Sequence, residues 1–213
     1  DEEGLPRGAF VYANFNKQDK LEPYIFTVWM GVLLRTPNSV LWLLSPSHKY
    51  EGSGIEVNLR REAEARGIRG DRIIFAKRKP KGEHLRRMKG ADVFLDSFFY
   101  GAHSTATDSL RGGLPVITVK GDSWPRRVGA SLIANMDDPS LSGVLVMSDV
   151  RAFADVAVGV KGEMLGEVRR RVREGWKSGL FDTEGYTTDF ERMAEGMWDV
   201  KMVGEGERFH IVV

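Results

Sequence analysis

Val40-Leu41-Trp42-Leu43-Leu44 is an apolar run with no polar residue between its members. A strand that faces water on one side alternates. A strand buried on both faces does not, so this run reads as a strand inside a mostly parallel sheet. Pro37 stands just ahead of it and ends the preceding helix. That helix reads as Pro23 to Leu34: proline suits a first turn, and Phe26, Trp29, Met30 and Leu33 recur on one face. Further back, Phe10-Val11-Tyr12 is the first strand. Further on, Ile55 to Arg66 reads as a helix ending at Gly67, a natural left-handed cap. Ile73-Ile74-Phe75 is a third strand, Lys81 to Met88 a short helix, Val93-Phe94-Leu95 a fourth strand and Val116-Ile117-Thr118 a fifth. Arg126 to Ala134, Arg151 to Val160 and Glu163 to Lys177 read as helices. Thr187 to Trp198 continues the pattern, with Phe190, Met193 and Met197 in a stripe after Tyr186. The loop reading falls on Asp137-Asp138-Pro139-Ser140. Strand and helix alternating through short connections predict an α/β fold: a single Rossmann-like lobe of five or six mostly parallel strands flanked by helices. Residues 1–213 form that one lobe, with 1–8 as a frayed linker and 162–213 as a helical extension.

Composition narrows the partners. The chain has 213 residues, 42% of them hydrophobic and 29% charged, with a formal net charge of +1. That balance calls for neither nucleic acid nor an anionic membrane. There are no cysteines, which excludes disulfides, thiolate metal sites and cysteine nucleophiles. The acidic start, Asp1-Glu2-Glu3-Gly4, is no secretory signal, and no apolar stretch nears the roughly 18 residues a membrane span needs. The expected location is cytoplasmic or nuclear. Histidines stand at 48, 84, 103 and 210 with no paired spacing, so no metal site is expected.

Ligands of open parallel sheets collect beyond the carboxyl ends of the strands. The loop after the fourth strand, Gly101-Ala102-His103-Ser104-Thr105-Ala106-Thr107-Asp108, reaches that place. Its small residues let backbone N–H groups come close to a ligand, and a helix, Ala106 to Arg111, follows at once. The free N–H groups of a helix start suit a diphosphate. His103, Ser104 and Thr105 add side-chain donors, and Asp108 can accept from a ribose hydroxyl. The alternative is ordinary Ser/Thr capping of a helix.

Lys77, Arg78, Lys79, Lys81, His84, Arg86 and Arg87 crowd together after the third strand. On a helix, Lys81, His84 and Arg87 share a face and can point into the same cleft. A solvated basic face is the other reading of such a run. Lys17 and Lys20 follow the first strand, where a lysine can neutralise a leaving phosphate or simply sit in a loop. Arg169-Arg170-Arg171-Arg173 reads as a solvated face. Trp124 and Pro125 read as residues that order a loop.

The chain resembles the C-terminal catalytic lobe of the protein O-GlcNAc transferase family. The resemblance runs nearly end to end. It is carried by Phe10 to Asn16, Lys20-Leu21-Glu22-Pro23, Pro37 to Leu44, Arg72 to Phe75, Lys81 to Arg87, Ala91 to Asp96, His103-Ser104-Thr105 with Asp108, Arg127 to Ser131, Leu180 to Thr183 and Tyr186. It implies one lobe of a two-Rossmann-domain (GT-B) glycosyltransferase that moves N-acetylglucosamine from UDP-N-acetylglucosamine to protein serine and threonine, without a metal or other cofactor. By the same resemblance, Lys20 matches the catalytic lysine that steadies the departing UDP. The backbone at Lys79 and the side chain of Arg87 match uracil contacts, and His84 packs on the uracil. Lys81 and Asp108 match the ribose pair, and His103, Ser104 and Thr105 the turn that grips the diphosphate.

Four positions depart from the family pattern. Lys17 stands for a glutamine, which touches how the sugar is held. Ser104 stands for a threonine. Gly101-Ala102 stands for Asn-Gly, and alanine tolerates positive φ less well. The resemblance also implies a second Rossmann lobe and tetratricopeptide repeats for the protein acceptor, neither of which is in this sequence. Two other functions stay open: a UDP-binding module with no catalysis of its own, and a GDP-fucose-using protein O-fucosyltransferase on the same scaffold. The presence of His84, Arg87 and His103 favours uridine.

Overall fold

A computed structural model of the chain describes residues 3–46, 54–175 and 179–203. His48 and His210, and the end of the helix read to Lys177, fall outside these. Among the described residues six strands build one sheet: β1 (Phe10–Asn14), β2 (Ser39–Leu44), β3 (Ile73–Ala76), β4 (Val93–Leu95), β5 (Val116–Val119) and β6 (Val146–Met147). Their order is β3-β2-β1-β4-β5-β6, and every pairing is parallel. The apolar run of β2 is buried along its whole length, as two-sided coverage requires.

The helices are α1 (Pro23–Arg35), α2 (Ile55–Glu64), α3 (Lys81–Arg87), α4 (Ser104–Arg111), α5 (Val128–Ala134), α6 (Ser140–Leu145), α7 (Val150–Gly159), α8 (Gly162–Glu174) and α9 (Thr183–Val203). Glu22 caps α1 by accepting from Tyr24 N at 2.8 Å and Ile25 N at 2.7 Å, and Pro23 fills the first turn. The buried face of α1 is Ile25, Phe26, Trp29, Met30, Val32 and Leu33. Fully burying a side chain of this size contributes roughly 1.5–3 kcal/mol. After α2, Gly67 takes φ +80°, the left-handed conformation its position demands.

Several expectations need correction. The stretch expected to fray is anchored at two points: Leu5 is buried, and the Glu3 carboxylate lies 2.6 Å from Lys79 Nζ. Of the loop expected at Asp137-Asp138-Pro139-Ser140, the first three residues are loop, but Ser140 begins α6, which leads directly into β6. Helix α9 runs past both ends of the expected Thr187 to Trp198, and Tyr186, Phe190 and Met197 of its stripe stay exposed. The arginine run on α8 is not wholly solvated. Arg170 sits between Glu167 and Glu174 in the open, but Arg171 pairs with Asp138 at 2.5 Å and Arg169 donates to the carbonyl of Ala91.

From β1 the sheet grows through β2 and β3 to one side, and from β4 through β5 and β6 to the other, so the strand order reverses between β1 and β4. That is where the carboxyl ends of adjacent strands leave a crevice. Asn14 ties the two strands there, donating from Nδ2 to Leu95 O at 2.7 Å, and Asn16 Nδ2 reaches Ser97 Oγ at 3.1 Å.

Candidate functional site

The loop after β1 turns through a short 3₁₀ segment, Gln18–Lys20. Lys17 opens it: its carbonyl accepts from Lys20 N at 3.1 Å, and its side chain is exposed. Lys20 points across the crevice. Its ammonium donates to Gly101 O at 2.7 Å and lies 4.0 Å from the centroid of the Tyr100 ring. Burial lowers its pKa, and the charges of Asp96 and Asp19 oppose that shift.

The loop after β4 ends in α4, which begins at Ser104, two residues before the expected Ala106. His103 occupies the N-cap and makes no side-chain capping hydrogen bond. Ordinary Ser/Thr capping is therefore not what Ser104 and Thr105 provide. They stand inside the first turn, where N–H groups have no helical partner. The His103 ring is held by neighbours: it stacks on Tyr100 with centroids 5.0 Å apart, meets Trp124 edge-on at 5.0 Å, and has Nε2 3.3 Å from Pro125 O. Pro125 O also accepts from Gly101 N at 2.9 Å, so the loop after β5 does order its neighbour. Neither Gly101 nor Ala102 has a positive φ, which removes the objection to alanine there.

The basic strip divides. On α3, Lys81 reaches across to pair with Asp108 of α4, joining the two expected ribose residues side by side. His84 is half-buried, with its ring edge-on to Phe15 at 5.1 Å. Burial, with the charge of Arg87, lowers its pKa to about 4, so it is neutral at pH 7. Arg87 turns inward, with only 4% of its side chain exposed. It donates from Nε to His84 Nδ1 at 3.0 Å, donates to the carbonyl of Lys77, and lies 3.8 Å from Glu3. Arg87 thus makes an orienting contact to His84 in this arrangement. With Nδ1 accepting, the imidazole carries its proton on Nε2.

Lys17, Lys20, His103, Ser104, Thr105, Lys81, Asp108 and His84 accordingly share the carboxyl rim of the sheet, and Lys79 follows its edge strand β3. Sequence reasoning missed Asp96. Its side chain is 1% exposed, and its carboxylate accepts from Ser97 N at 2.7 Å, Ala102 N at 2.6 Å and Thr118 Oγ1 at 2.8 Å. Its sequence signals were its place at the end of β4 and within the Ala91 to Asp96 stretch of the resemblance, neither of which gives it a role. A hollow of about 520 Å³ lined by Arg111, Asn135, Phe181, Asp182 and Tyr186 lies at the other end of α4. Helix carbonyls face that end, which makes it the wrong pole for a phosphate.

Solved structures of glycosyltransferases share this architecture. A mutant of the O-GlcNAc transferase from Thermobaculum terrenum superposes with a TM-score of 0.81 at 25% identity, over 90% of this chain and 36% of that one. Sucrose-phosphate synthase from Thermosynechococcus elongatus, at 18% identity and a TM-score of 0.63, shares the fold. The lobe is therefore of the GT-B type. In sequence, the chain is 32% identical over 205 residues to a probable UDP-N-acetylglucosamine–peptide N-acetylglucosaminyltransferase, SEC, of Arabidopsis thaliana, covering 95% of this chain and 20% of that protein. It is 33% identical to the UDP-N-acetylglucosamine–peptide N-acetylglucosaminyltransferase of Caenorhabditis elegans, over 91% of this chain and 16% of that protein. The chain thus spans about a fifth or less of the length of these relatives. The sequence model of glycosyl transferase family 41 matches residues 1–190, and the chain belongs to that family.

Proposed function

We propose that this chain is the donor-binding lobe of a UDP-N-acetylglucosamine:protein serine/threonine N-acetylglucosaminyltransferase. The observation that carries the reading is the Lys20 ammonium, 2.7 Å from Gly101 O on the loop that leads into the start of α4. A fixed cation and the positive pole of a helix face the same small volume, and departure of UDP builds negative charge in such a place. Preorganised donors there stabilise the leaving diphosphate without reorganising, as a metal does in other enzymes. Lys20 is the catalytic residue in this reading. His103, Ser104 and Thr105 grip the diphosphate, and the Lys81–Asp108 pair takes the ribose. Neutral His84, with the backbone at Lys79, receives the uracil. Lys17 stands where the sugar is held.

The acceptor lobe, and any tetratricopeptide repeats that recruit protein substrates, lie outside these residues in this reading. The 213-residue chain alone then binds donor and does not complete transfer. Uridine is favoured over guanosine by relatedness: the relatives matched at 32% and 33% identity are both named for UDP-N-acetylglucosamine. Calorimetry with UDP and GDP on the purified chain, with a transfer assay on the same sample, tests the reading. UDP binding that exceeds GDP binding supports it. Preference for GDP, or no nucleotide binding, overturns it.

A further inference from the structure

The peptide unit between Gly101 and Ala102 is held at both ends. Its N–H, from Ala102, points to Asp96 Oδ1 at 2.6 Å. Its C=O, from Gly101, accepts from Lys20 Nζ at 2.7 Å. A trans peptide is planar and its N–H and C=O point in opposite directions, so fixing one end aims the other. Whatever anchors the Ala102 N–H therefore decides where the Gly101 carbonyl, and with it the Lys20 ammonium, can sit.

Asp96 is anchored firmly enough to serve. It is 1% exposed at the carboxyl end of β4. The Ser97 N–H at 2.7 Å shares Oδ1 with Ala102, and Thr118 of β5 donates to Oδ2 at 2.8 Å. Two glycines close around it: a Cβ on Gly129 of α5 would stand 2.8 Å from Oδ2, and one on Gly101 would stand 3.3 Å from it. The carboxylate fills the space that those side chains would need. Burial pushes its pKa up to about 6, while the three hydrogen bonds and the Lys20 charge pull the other way.

We propose that Asp96 is a positioning residue that sets Lys20 for the diphosphate, acting through the Gly101–Ala102 peptide. This rests on the donor-binding reading. It assigns Asp96 no contact with the nucleotide. It also distinguishes Asp96 from a core carboxylate that merely satisfies nearby N–H groups, because removing a positioning group matters only while Lys20 is present to be positioned.

The test is a double-mutant cycle on the full 213-residue chain with UDP as the probe, read by calorimetry. Asp96→Ala is expected to weaken UDP about tenfold in the wild-type background, and less than twofold in Lys20→Met. Asp96→Asn keeps an oxygen for the two N–H groups and an amide facing Thr118, and is expected to bind UDP within about threefold of wild type. If Asp96→Ala does not fold, Thr118→Val tests the same lever by freeing the carboxylate to rotate. A loss of about threefold with Lys20 present, and none with Lys20→Met, is then expected. Losses that are equal in both backgrounds, or UDP binding unchanged in Asp96→Ala, overturn the inference. If the wild-type chain binds no UDP, the donor-binding reading fails instead, and the two failures are distinct.

Discussion

Arg87 donates from Nε to Nδ1 of His84 at 3.0 Å, and that bond fixes both the tautomer and the tilt of the imidazole. The guanidinium itself lies among Phe15, Trp42, Glu3 and the carbonyl of Lys77. If the ring receives the uracil, Arg87 matters to binding without reaching the base. His84→Ala is expected to weaken UDP about tenfold, the scale of one lost stacking contact. Arg87→Met is expected to weaken it by a similar factor and to leave His84→Ala little worse when the two are combined. Calorimetry on the three variants checks this. Additive losses would mean that Arg87 acts on UDP independently of the imidazole.

His84 and Asp96 make opposite demands on acid. Burial and Arg87 hold the imidazole near 4, below its ordinary 6.5. The unfolded chain takes up a proton there that the folded chain refuses, so the contribution of His84 is present above pH 6.5 and is lost as the pH falls towards 4. Asp96 is raised from 3.8 to about 6. The folded chain keeps a proton that the unfolded chain releases, so its contribution is present below 3.8 and is lost as the pH rises through 6. The two slopes oppose each other between about pH 4 and 6. Urea midpoints should show it. Asp96→Asn should gain stability with rising pH in that window more steeply than wild type, and His84→Gln should lose it. Superimposable profiles for wild type and Asp96→Asn would refute the assignment.

The sheet was readable because its strands are buried on both faces and carry unbroken apolar runs, as Val40 to Leu44 does. Strand β6 was not named, since two residues, one of them only half-buried, give no period. Helix α6 has six residues beside a loop-like Asp-Asp-Pro, and the 3₁₀ turn at Lys20 has three; neither is long enough for a pattern. In the site, the three-residue spacing of Lys81, His84 and Arg87 correctly put them on one helix. Spacing cannot tell which side chain turns inward, and Arg87 does so because Glu3 and the Lys77 carbonyl wait there. Asp96 escaped because its partners, Ala102, Ser97 and Thr118, are brought to it by the fold and not by the sequence.

Lys20 is held at a carbonyl and an aromatic face, a slot that fits a compact ammonium better than a broad guanidinium. In a transferase carrying this lobe, Lys20→Met is expected to lower turnover by a factor on the order of 10² to 10³, the usual loss for one preorganised donor at a developing charge. Affinity for the intact donor should change far less, because the charge Lys20 meets appears only as UDP departs. Lys20→Arg should not restore turnover. Separate measurement of kcat and of donor binding checks this, and unchanged turnover in Lys20→Met would remove Lys20 from catalysis.

Arg72 provides the contrasting case, a charged residue that serves the fold alone. Its guanidinium sits at the amino edge of the sheet, opposite the site. Nε donates to Ser39 O at 2.8 Å; Nη2 donates to Leu33 O and Thr36 O at 2.8 Å and to Ser39 Oγ at 2.9 Å. One side chain thereby satisfies carbonyls at the open end of α1 and ties them to the start of β2. Charge-assisted bonds of this kind contribute more than neutral ones, and removing the donor leaves Leu33 O with the Thr36 N–H at 3.2 Å and Thr36 O with the Ser39 hydroxyl at 2.7 Å, each short of its charged partner. Arg72→Met is expected to cost about 2–4 kcal/mol in urea unfolding. At this chain length, each kcal/mol lowers Tm by about 2–4 °C. UDP affinity at a temperature where the variant remains folded should stay within about twofold of wild type, since no bond of Arg72 reaches the carboxyl edge. A large loss of UDP affinity in a folded Arg72→Met chain would mean that the two edges of the sheet are coupled, and that the site does not depend on the crevice residues alone.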